Sequence, residues 1–156
     1  MFRTKMAKAL LVPAAMMIPV SGAVLAFASP SSAASPASST TPVKCTALSG
    51  TVGGSGSLSG CSDTAATGGS GTFPLTPTNS ATITWASGGS TTGSVTYGSA
   101  GTNTCASGDS EEAVTGTVTK SKGAAKSIAK GDKIKGDVCV SGTGAVSLAP
   151  GTKFKI

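Results

Sequence analysis

The sequence has no histidine. That removes the commonest general base, the commonest zinc ligand and the usual partner of a nucleophilic serine or cysteine. Charged residues make up only 12% of the chain and aromatic residues only 4%. Its 22 glycines form no G-x-S-x-G, no G-x-G-x-x-G and no P-loop pattern. Acyl transfer at a nucleophile elbow, dinucleotide binding and P-loop chemistry therefore have no sequence support. The glycines read instead as turn and strand-end residues. No C-x-x-C pair of the kind that builds zinc sites occurs. Sequons fail at Asn79-Ser80-Ala81 and Asn103-Thr104-Cys105. The pattern calls for no cofactor and no metal.

What is present begins with an export signal. Arg3, Lys5 and Lys8 precede a charge-free stretch from Ala9 to Ala28, rich in Ala, Leu, Val and Met. Small residues at Ala26-Phe27-Ala28 and Ser31-Ser32-Ala33 follow. Residues 1–28 are expected to be a signal peptide, with cleavage at 28 or as late as 34. A retained membrane anchor is the competing reading, and Pro13, Pro19 and Gly22 weaken it. Residues 29–42 are Ser, Ala, Pro and Thr without charge, the composition of a disordered linker. Residues 43–156 are expected to form a single β domain. The whole chain has twelve basic and six acidic residues; loss of Arg3, Lys5 and Lys8 leaves nine against six, a net +3. That charge is too mild for a dedicated nucleic-acid binder.

Cys45, Cys61, Cys105 and Cys139 all lie beyond the signal. An even count in an exported chain reads as two disulfides. Of the three pairings, the short separations favour Cys45–Cys61 with Cys105–Cys139. Each closure would contribute about 3–4 kcal/mol by the loop-entropy argument.

The domain alternates short apolar runs with glycine turns, which predicts an all-β antiparallel sandwich, or alternatively a small β-barrel. Ile83 and Trp85 share one parity, as do Val95 and Tyr97, around Ser87-Gly88-Gly89-Ser90. A hairpin with Gly88–Ser90 as its loop would pair Ile83 with Val95 and lay Trp85 over Gly93. Val114, Gly116 and Val118 alternate with Thr115, Thr117 and Thr119 in a half-buried strand. Ile134, Val138 and Val140 set a second alternation, which places Cys139 on the outer face unless a bulge near Gly136 flips the register. Phe154 and Ile156 point inward between Lys153 and Lys155, so the C-terminus is expected to join the sheet.

Three features carry candidate chemistry. Ser127-Ile128-Ala129-Lys130 fits S-x-x-K, but S-D-N and K-T-G are missing and the chain is short for that fold. Asp109, Glu111 and Glu112 cluster before a strand, where carboxylates serve a calcium loop, an acid/base pair of a small hydrolase, or plain solvation. Lys120, Lys122, Lys126 and Lys130, with Lys133 and Lys135, make a basic segment suited to an anionic polymer or to solubility. No aromatic residue interleaves them, so base stacking is unsupported. Trp85 and Tyr97 suit either a sugar-stacking platform or the core.

Lys44-Cys45, Ser59-Gly60-Cys61, Ala81-Thr82-Ile83-Thr84-Trp85, Val114-Thr115-Gly116-Thr117-Val118, Asp137-Val138-Cys139-Val140 and Ser147-Leu148-Ala149-Pro150-Gly151-Thr152 occur in that order. This series resembles a group of small exported four-cysteine actinobacterial proteins of unknown function. The resemblance implies secretion, four cysteines and β structure, and carries over no active-site residue. The expected function is that of an exported, non-enzymatic β domain, a structural or binding module at the cell envelope or outside the cell. A carbohydrate- or wall-polymer-binding module is the alternative. The partner classes considered are cell-wall polysaccharide and another envelope protein. Nucleic acid is not expected, and a membrane only through an uncleaved signal.

Overall fold

A computed structural model describes residues 41–101 and 103–156. The expected signal peptide and nearly all of the expected linker lie outside the described residues. Ten strands follow the chain: β1 Lys44–Cys45, β2 Ala47–Thr51, β3 Ser55–Ser59, β4 Ser70–Pro74, β5 Ser80–Trp85, β6 Ser90–Ser99, β7 Ser110–Lys122, β8 Lys133–Val140, β9 Ala145–Leu148 and β10 Phe154–Lys155. A single-turn helix, α1 Thr64–Thr67, interrupts β3 and β4, and a 3-10 helix, Gly123–Ser127, interrupts β7 and β8.

From β2 to β9 each strand pairs antiparallel with the next in sequence, and β9 pairs back onto β2. The sheet therefore closes into an eight-stranded up-and-down barrel. The sandwich expectation is replaced by its barrel alternative. The physical difference is one long-range pairing, Ser49–Thr51 with Ala145–Ser147, which leaves β2 and β9 without a free edge. Beside that seam, β10 pairs with both β1 and β8, and Val43 and Ile156 exchange backbone hydrogen bonds. The C-terminus joins the sheet as its alternation predicts.

Alternation decides the two faces. Leu48, Leu58, Ile83, Val95, Val114, Ile134, Val138 and Val146 point inward and are buried. Serines and threonines cover the outside in hydroxyl pairs such as Thr82–Thr92 at 2.9 Å and Thr96–Thr115 at 2.8 Å. Many glycines are not turn residues: Gly50, Gly56, Gly71, Gly93, Gly116 and Gly136 lie within strands at inward positions. A narrow barrel cannot seat a large side chain at every inward site, and bare backbone gives neighbouring chains room. At Gly71, Cε3 of Trp85 lies 2.6 Å from where a β carbon would stand.

Both expected disulfides are formed, Cys45–Cys61 and Cys105–Cys139. β8 pairs with β7 in unbroken register, so Cys139 faces outward and staples the β6–β7 loop across the barrel wall. The two bridges are consistent with an oxidising compartment. Among the described residues no helix is long and apolar enough to cross a membrane.

Candidate ligand cavity

The two ends of the barrel differ. The turns β3–β4, β5–β6 and β7–β8 meet at one end, where α1 and the 3-10 helix close it. Asp63 caps α1 by accepting a hydrogen bond from the Ala66 amide at 3.2 Å, and its other oxygen accepts one from Ser127 Oγ at 3.1 Å. Ser127, the serine of the S-x-x-K match, thus ties one cap to the other. Ala66, Ala125 and Ile128 are buried beneath this lid.

Trp85 lies against the same end with 2% of its surface exposed. Its Nε1 donates to Thr91 Oγ1 at 2.9 Å, and Ser121 Oγ donates to the same oxygen at 3.3 Å. A bulge puts Ser121 there. Between the pairs Thr92–Lys120 and Gly93–Val118, β7 carries one extra residue, Thr119, which flips its later side chains to the other face.

Above this floor the barrel is hollow. A cavity of about 260 Å³ is walled by Leu48, Phe73, Ile83, Val95, Val114, Ile134, Val138, Val146 and Phe154. It opens at the other end between Val52, Leu75, Thr76, Pro77, Tyr97, Glu112 and Val140. Eight strands enclose an interior on the borderline between filled and hollow. Val52 and Tyr97 at the mouth are 49% and 44% exposed, large apolar groups left open to solvent.

Among the described residues, Glu112 and Tyr97 are the ionisable groups that line the cavity. Glu112 has the inward parity of Val114 and Val118, and Tyr97 that of Val95. Partial burial, and then the carboxylate of Glu112, hold the Tyr97 phenol above its ordinary 10.0. The neighbouring Glu111 faces the other way, accepting from the Thr104 amide at 2.5 Å. The acidic cluster is therefore split across the wall, one carboxylate inside the rim and one bracing the β6–β7 loop. Asp109 lies in that loop.

The remaining candidates fall elsewhere. Trp85 and Tyr97 are at opposite ends of the barrel and share no platform. Lys120, Lys122, Lys126 and Lys130 are exposed together around the closed end. The parity of Glu112 and Tyr97 was visible in the sequence and marks them as inward; what was not visible is that their strands enclose a space. Comparison with protein-family models, curated proteins and solved structures finds no match to this chain.

Proposed function

We propose that this protein is an exported binding module that carries or sequesters one small apolar molecule inside its barrel. The observation that carries the reading is the apolar cavity of about 260 Å³, floored at one end and open at the other. An engineered apolar cavity of about 150 Å³ takes up one benzene, so by proportion this one suits a ligand of about ten carbon atoms. Each methylene buried is worth about 0.8 kcal/mol before the costs of association.

The test is thermal unfolding of the purified protein with short apolar ligands. A ligand at a hundredfold its Kd adds about 2.7 kcal/mol of stability and raises the melting temperature accordingly. Val95→Phe, which fills the cavity from its wall, is expected to unfold cooperatively without responding to ligand. A wild-type protein indifferent to every ligand of this size would defeat the proposal.

A second reading concerns where the module acts. Lys44, Lys120, Lys122, Lys126, Lys130 and Lys133 lie toward the closed end of the barrel, on β1, β7, the β7–β8 connection and the start of β8. That end suits an anionic envelope polymer, with the mouth turned away from it.

A further inference from the structure

The mouth carries a sign as well as a shape. Among the described residues, no lysine or arginine lines the cavity or its opening, whereas Asp109, Glu111 and Glu112 lie at or beside that opening. Of these, Glu112 lines the cavity, and among the described residues its carboxylate has no hydrogen-bond or ion-pair partner. The Tyr97 hydroxyl and Thr76 stand at the same opening. A ligand seated in the apolar shaft must leave its polar end among these three side chains. Coulomb repulsion at a partly desolvated carboxylate disfavours an anionic head there, and attraction favours a cationic one.

Resting on the cavity reading above, we infer that the preferred ligand is an amphiphile of about ten carbons headed by a protonated amine, which Glu112 accepts at the mouth with Tyr97 beside it. The head donates, the carboxylate accepts, and the chain fills the barrel. Fatty acids of the same length are rejected by the same carboxylate. The selectivity belongs to position 112 and not to the general acidity of the rim, because Glu111, its neighbour in sequence, points to the outer face.

The experiment is isothermal titration of the purified protein at neutral pH with nonylamine, nonan-1-ol and nonanoate. The amine is expected to bind about tenfold more tightly than the alcohol, and the alcohol more tightly than the carboxylate. Glu112→Gln should bring the amine-to-alcohol ratio to about one, while Glu111→Gln, on the outer face, keeps the wild-type ratio. Circular dichroism checks that both variants keep the barrel. Equal affinity for amine and carboxylate, or an unchanged ratio in Glu112→Gln, overturns the headgroup assignment and leaves the cavity reading standing. Failure of all three ligands to bind overturns both.

Discussion

Trp85 concentrates more of the fold's constraints than any other residue. Its ring fills the space over Gly71, and its indole nitrogen has a buried oxygen to meet in Thr91. Trp85→Phe keeps most of the apolar area but removes that hydrogen bond, a loss of about 1 kcal/mol in denaturant unfolding. Gly71→Ala attacks the same contact from the opposite strand. Its β carbon would meet Trp85 Cε3 at 2.6 Å and Ile83 Cγ2 at 2.7 Å, so about 1–3 kcal/mol of overpacking is expected. A Gly71→Ala protein as stable as the parent would mean that the floor is looser than it looks. Tyr97 gives a second residue-scale test, because the chain has a single tyrosine. Its phenol should titrate above 10.0 in ultraviolet difference spectra, and in Glu112→Gln the midpoint should fall part of the way back, since burial remains. A phenol pKa raised by folding disfavours phenolate in the native state. The associated stability is whole below the unfolded value and is lost as pH rises through the folded one, so this contribution fades only in alkali.

At the scale of elements, parity was legible and register was not. The alternations in β7 and β8, the outward Cys139 and the inward Phe154 and Ile156 follow from period-two reading, and both disulfides follow from the short cysteine separations. The β5–β6 hairpin shows the limit. Its parity is as the sequence predicts, but Ile83 faces Thr91 instead of Val95, and the loop is Ala86–Gly88. Any shift of two or four residues preserves the buried face, so sterics between strands must choose. Here they choose Gly71 as the bare backbone beneath Trp85, and leave Gly93 to Ile134. The staple on β8 makes a prediction of its own. Cys105 and Cys139 are 34 residues apart, and the bridge lies on the outer wall of an unbroken strand pair. Replacing both by alanine should lower stability by about 4 kcal/mol, less any native strain. The cavity should keep its ligand affinity, because Cys139 faces away from it. Loss of binding in this variant would show that the β6–β7 loop shapes the mouth.

For the molecule as a whole, closure was the hidden step. A sandwich and a barrel of eight short antiparallel strands share the same alternation, and only the pairing of β9 with β2, about a hundred residues apart in sequence, separates them. The pointer lay in the glycines at inward parity, which a converging barrel needs and turn chemistry does not explain. Closure also sorts the charges. Three carboxylates lie at or beside the open rim, whereas Lys44, Lys120, Lys122, Lys126, Lys130 and Lys133, with Asp63 and Asp132 among them, lie toward the closed end; Lys135, Asp137 and Lys153 lie between. Positive charge is thus concentrated toward one end of the barrel and the cavity's carboxylate at the other. An anionic polymer should therefore engage it from one end only. In co-sedimentation with purified anionic wall polymer, binding is expected at low salt and should be largely screened by about 0.5 M salt. Replacing Lys120, Lys122, Lys126 and Lys130 with alanine should abolish it without altering ligand affinity, since these lysines surround the floor and not the mouth. If binding survives those four substitutions, or resists salt, the lysines are a solubilising surface and the orientation they imply is wrong.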